Sequence, residues 1–187
     1  QPPPRLLTLA REGMFREQLA LIMDGHDAHA LIALAHAHPA EFDCGNVVAA
    51  LALSEAHAVL NQTAEAEAVA RGLLACPKEG DRLAMLYKTK SWLPAASWEQ
   101  LLAAEQGAQH TPDGMKKIVQ LRYDDRLEQL VRASEGKEYV KATGIFAALA
   151  PDIEARKDGA AGLLGAWSYY ALKQYAAATA WFERVLS

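Results

Sequence analysis

"GAWSYYALKQYAAATAWFERVL", residues 165–186, gathers Trp167, Tyr169, Tyr170, Tyr175, Trp181 and Phe182 in a 187-residue chain that is only 7% aromatic. These rings are either a ligand box or one copy of a repeated packing unit. The choice between the two decides the fold, and the rest of the sequence answers it.

Alanine, leucine, glutamate, glutamine and arginine dominate, and the apolar–polar alternation of strands is absent, which predicts helix nearly throughout. The prolines punctuate that pattern. Beyond the opening "QPPPRLLTLA" and Pro94 they are Pro39, Pro77, Pro112 and Pro151, at intervals of 38, 35 and 39 residues. Each follows a helix-periodic apolar segment, where a residue without an N–H can stop a helix.

Nine residues before these prolines stand Ala30, Ala68, Ala103 and Ala142. Five before stand Leu34, Gly72, Gly107 and Phe146, and two before stand Ala37, Ala75, His110 and Leu149. The opening stretch joins the series 36 residues after the fourth frame, pairing Tyr175 with Tyr139, Ala178 with Ala142, Phe182 with Phe146 and Val185 with Leu149. Turn formers fall inside three units, as "DGH" at 24–26, "NQT" at 61–63 and "EGK" at 135–137. The expected unit is helix, turn, helix, break, with units near 11–39, 49–77, 84–112, 123–151 and 159–187. In the third, Pro94 after Trp92 predicts an early end or a kink in the first helix. A period of this length implies a helical solenoid.

The last unit resembles a tetratricopeptide repeat in Ala166–x–x–Tyr169 and in Tyr175–x–x–Ala178–x–x–x–Phe182–x–x–Val185. The fourth resembles it in Tyr139–x–x–Ala142–x–x–x–Phe146–x–x–Leu149–x–Pro151, and the second in Ala56, Val59 and Ala68. The resemblance implies one all-α, right-handed solenoid of about five helical hairpins over residues 1–187. It places Tyr169, Tyr175, Ala178 and Phe182 in the core. It turns part of each first helix toward a concave face, where partners of that family lie. His57, Lys88, Trp92, Trp167 and Tyr170 are the partner-binding candidates on that face.

Long alanine-rich arrays of this style also resemble the periplasmic part of bacterial exopolysaccharide export proteins, such as the cellulose synthase C subunit. That resemblance implies a scaffold for synthase components or glycan, with Trp92, Trp98 and Trp167 as stacking surfaces. It tilts an otherwise open compartment toward the periplasm.

Other function classes find little support. Net charge is −4 with no basic stripe to neutralise phosphates, so nucleic acid is not an expected partner. The longest apolar runs, such as Val47–Leu53, fall well short of the roughly 20 residues of a membrane helix. "HDAHALIALAHAH" brings together His26, His29, His36 and His38, but His36 and His38 diverge on one helix and no HExxH-type element accompanies them. Asp124–Asp125 beside Arg122 and Arg126 reads as a solvated helix start. No GxSxG, glycine-rich phosphate loop or CxxC occurs.

The sequence therefore predicts a protein that is not an enzyme and uses no cofactor or metal. It would bind another protein through its concave surface. Cys44 and Cys76 allow at most one disulfide and have no metal-type spacing, and of the two readings two partly buried thiols is the favoured one. An apolar helical pattern that runs to Leu186–Ser187 without a stop predicts a piece of a longer chain, and open solenoid ends would favour self-association.

Overall fold

The structure, a computed structural model, describes residues 4–186. Gln1–Pro3 and Ser187, which hold most of the opening proline run and the last residue of the expected fifth unit, lie outside the described residues. The described residues form α-helices, one short 3-10 turn and no strand, so the chain is all-α. The helices group into two compact units divided between Met115 and Lys116.

The first unit runs through α1 (Pro4–Asp24), α2 (Ala28–Ala37), the 3-10 turn Pro39–Glu41, α3 (Val47–Val59), α4 (Thr63–Leu73), α5 (Glu79–Thr89) and α6 (Ala95–Gln106). It ends in the head of α7 (Pro112–Glu135). Local chemistry sets several starts. The side chains of Asp27 and Asn46 accept the amides of Ala30 and Ala49, capping α2 and α3. Pro112 occupies the first position of α7, where a missing N–H costs nothing. Phe15, Leu19, Leu31, Leu34, Ala35, Phe42, Ala49, Leu53 and Ala56 pack into one core cluster, and Met85, Leu86, Trp98, Leu101 and Leu102 are fully buried on α5 and α6.

The second unit holds the rest of α7 with α8 (Tyr139–Arg156), α9 (Gly159–Ala171) and α10 (Tyr175–Leu186). Its core joins Tyr123, Leu130 and Ala133 of α7 to Ala142, Phe146, Leu149 and Ile153 of α8, Ala161 and Ala166 of α9 and Trp181 of α10. Two close approaches need glycine. A Cβ at Gly165 would overlap the ring of Phe146, and one at Gly162 would stand 2.6 Å from the Val185 side chain.

One backbone device recurs. His26, Asn61, Lys137 and Lys173 all have positive φ (51°, 59°, 60° and 60°), and each ends the first helix of a hairpin. In each case the next amide bonds back five residues, as in Asp27 to Ile22, Gln62 to His57, Glu138 to Ala133 and Gln174 to Tyr169. This left-handed stop satisfies the last carbonyls of the helix and turns the chain back. Five residues beyond the four stops lie Leu31, Ala66, Ala142 and Ala178, all buried.

Several expectations need correction. Pro151 does not stop a helix; it lies inside α8, which runs on to Arg156. The extension buries Ile153, and the stop comes from Lys157 in the left-handed conformation. Ala68 and Ala103 of the proline-anchored column are exposed, because α4 buries Ala66, Ala70 and Leu73 and α6 buries Trp98, Leu101, Leu102 and Glu105. Near Pro94 the helix does end early. The chain turns through 90–94, and Pro94 takes the cap position of α6.

The cysteines are not thiols. Cys44 and Cys76 form a disulfide with Cα atoms 5.3 Å apart, joining the loop before α3 to the connection between α4 and α5. That separation is within the range a disulfide spans without backbone movement. Asp124 and Asp125 lie in the interior of α7 rather than at a helix start, and Asp125 is buried, accepting from Gln129.

Candidate functional site

An exposed row of aromatic side chains lies in the second unit. On α9 the positions Leu163, Trp167 and Tyr170 follow the i, i+4, i+7 spacing that aligns one helical face. Trp167 is 57% and Tyr170 50% exposed. Asp158 fixes the start of this helix by accepting the amide of Ala161, so the stripe stands on a capped, rigid element.

The rings meet edge to face in series. Tyr175 to Tyr170 is 5.4 Å between centroids, Tyr170 to Trp167 is 5.6 Å, and Trp167 to Phe182 is 5.1 Å. Edge-to-face pairs at these distances are mutually attractive, so the four rings hold one another in place. Phe182 is half-buried and anchors the row, whereas Tyr175, expected in the core, is 54% exposed. It is the first residue of α10, next to the left-handed turn, where no helix of the unit covers it. Tyr169 lies half-buried against Phe146 at 5.8 Å, and Ala178 is buried, both as expected.

The other candidates lie in the first unit. Half-buried His57, near the end of α3, contacts Gln62 through Nδ1 at 2.6 Å. Lys88 is exposed in the last turn of α5. Trp92 is half-buried, and its indole N–H donates to Ser54 Oγ at 3.1 Å. Trp98, one of the three stacking candidates, is only 1% exposed and donates to the Leu86 carbonyl at 2.7 Å. It is a core residue and no stacking surface. Trp92 and Trp167 retain exposed faces.

Among the described residues no group of three or more His, Cys, Asp or Glu side chains is arranged to hold a metal ion. His26 instead contacts the Met23 carbonyl at 2.8 Å, and His38 meets Phe15 edge-on at 5.5 Å. No helix among the described residues is long and apolar enough to cross a membrane.

A buried polar cluster in the first unit was invisible in the sequence. Arg82 Nε donates to both oxygens of Glu105, at 2.8 and 3.1 Å, and its Nη1 donates to the Cys76 carbonyl at 2.9 Å. His110 bridges the Glu105 carbonyl and the Glu79 carboxylate. The contact between Arg82 and Glu105 spans 23 residues and that between Glu79 and His110 spans 31, and no motif links them.

No family model, curated protein or solved structure matches this chain.

Proposed function

We propose that the chain is a non-catalytic scaffold, a right-handed solenoid of tetratricopeptide-like hairpins that binds another protein. The observation that carries this reading is the aromatic row Tyr175–Tyr170–Trp167–Phe182, held by mutual ring contacts yet half open to solvent. Tryptophan and tyrosine on a rigid frame bury much area for little lost side-chain freedom, which is the character of interface hot spots. The recurring left-handed hairpin turns, with buried small or aliphatic residues five positions later, support the repeat reading.

The test is a selection of peptides from a displayed random library on the immobilised chain. Binders are expected to lose about tenfold or more in affinity on Trp167→Ala or Tyr170→Ala. Binders indifferent to both substitutions overturn the reading. Light scattering over a range of concentrations tests the expected self-association, which would show as a mass that rises with concentration.

A second reading, a periplasmic scaffold of exopolysaccharide synthesis and export, is favoured by the Cys44–Cys76 disulfide, since such bonds persist in oxidising compartments. Protection of Trp167 fluorescence by cello-oligosaccharides would support it. Indifference to sugar would leave the protein-binding reading.

A further inference from the structure

Between α6 and α7, in the first unit, a histidine ring is enclosed by acceptors. The His110 side chain is 1% exposed. Its Nδ1 lies 2.9 Å from Glu79 Oε1, and its Nε2 lies 2.6 Å from the Glu105 carbonyl oxygen. A neutral imidazole carries a single N–H and cannot donate to both. Either the ring holds two protons or Glu79 holds one.

The surroundings of Glu79 decide between these. Its Oε1 also accepts the Thr111 amide at 3.0 Å, and its Oε2 accepts the Thr111 hydroxyl at 2.7 Å. A carboxyl group that receives donors on both oxygens is stabilised as the anion. The Thr111 hydroxyl in turn accepts the Gly114 amide at 3.0 Å and so caps α7. A Cβ at Gly114 would overlap the Glu79 carboxylate, so the close approach itself needs glycine.

We propose that His110 is a buried, doubly protonated latch that holds the α6–α7 turn onto the first turn of α5, and that loss of its proton releases that turn. With a single proton left, the ring presents a lone pair to either the Glu105 carbonyl or the Glu79 carboxylate. One contact becomes repulsive, and the chain from His110 through Glu79 and Thr111 to the head of α7 loses a link.

The charged groups around the ring favour the closed state. Glu79 faces it from α5, and the Glu105 carboxylate on α6 lies 3.8 Å from Nε2. Arg82 of α5 is engaged with Glu105 and offsets part of that charge. Thr111 and Gly114 contribute neutral groups. The bond to the Glu105 carbonyl, then the contact with Glu79, raise His110 above the ordinary histidine value of 6.5 against the opposing effect of burial. The Thr111 hydroxyl, and after it His110 and the Thr111 amide, hold Glu79 below the ordinary 4.5. The histidine contribution is thus complete below pH 6.5 and disappears as pH rises through its raised folded-state value. The Glu79 contribution is complete above pH 4.5 and disappears as pH falls through its lowered value.

The experiment is an NMR titration of the whole chain, following the ring nitrogens of His110 and the amides of Thr111 and Gly114. At pH 6.5 both ring nitrogens should show the doubly protonated shift. At higher pH the ring and both amides should change together with one midpoint. Glu79→Gln should lower that midpoint while the fold is retained. A ring already half-neutral at pH 6.5, amides that stay still while the ring titrates, or an unchanged midpoint in Glu79→Gln would each overturn the latch.

Discussion

Phe146 of α8 packs against Gly165 of α9 so closely that any side chain at 165 would overlap its ring. The ring is fully buried and meets Trp181 edge-on at 4.7 Å, so it has no free direction in which to yield. Alanine favours a helix interior over glycine by about 1 kcal/mol. Here the overlap outweighs that gain, because overpacking a filled core costs about 1–3 kcal/mol. Gly165→Ala is expected to lower the denaturant midpoint, and an unchanged or raised midpoint would show that the α8–α9 contact is looser than described.

Arg82 and Glu105 form a buried pair whose Glu105 side chain is 1% exposed. Removing one partner from such a pair leaves a buried charge and costs about 3–5 kcal/mol. Arg82→Met should therefore be far more disruptive than the double variant Arg82→Met with Glu105→Met, which leaves neither charge. Urea unfolding of the two single variants and the double variant measures the coupling. Additive effects would mean that the pair does not act as a unit.

The disulfide closes a loop across a sequence separation of 32. By loop-closure entropy that crosslink stabilises the folded chain by about 3–4 kcal/mol. Reduction should lower the melting temperature of the wild type and leave that of Cys44→Ala with Cys76→Ala unchanged. Calorimetry with and without reductant reads both, and a wild type insensitive to reductant would refute the expectation.

In the second unit, Tyr123 donates to Asp158 at 2.7 Å, and the Arg156 guanidinium lies 4.2 Å from the Tyr123 ring centre. The Ala161 amide, and after it the Tyr123 hydroxyl, hold the Asp158 carboxyl below its ordinary value of 3.8 despite partial burial. Burial and then the bond to Asp158 push the Tyr123 hydroxyl upward. A lowered carboxyl contributes stability that is present above pH 3.8 and disappears as pH falls through its folded-state value. Stability should fall on acidification through that range, and Tyr123→Phe should flatten the fall by removing one donor. Parallel acid profiles for the two proteins would exclude the bond as a source of acid sensitivity.

The helical class, the turns near 25, 61 and 136 and the aromatic stripe of α9 were legible because they depend on local composition and periodicity. The register of the hairpins was less so. Prolines sit at variable distances from the packed positions, and Pro151 is carried inside α8 to bury Ile153. The four left-handed stops keep a constant offset to Leu31, Ala66, Ala142 and Ala178, but three different residue types occupy them. Asparagine tolerates that conformation readily and lysine carries no such signal, so composition alone could not anchor the frame. The disulfide and the Arg82–Glu105–His110–Glu79 cluster depend on tertiary proximity between distant segments, which periodicity does not encode.

The four tryptophans divide sharply by environment, and fluorescence quenching can separate them. Trp98 and Trp181 are 1% and 8% exposed, and Trp92 is half-buried with its indole N–H bonded to Ser54. Trp167 alone has more than half its surface open. Iodide should therefore quench mainly Trp167, and Trp167→Phe should remove most of the quenchable emission. Trp92→Phe should remove little of it. Because Trp167 touches Tyr170 and Phe182 through ring edges, replacing it by phenylalanine preserves an aromatic contact and should leave stability within about 1 kcal/mol of the wild type. Quenching that survives Trp167→Phe would mean that the aromatic row of α9 is covered in solution, and the binding role assigned to it would fail.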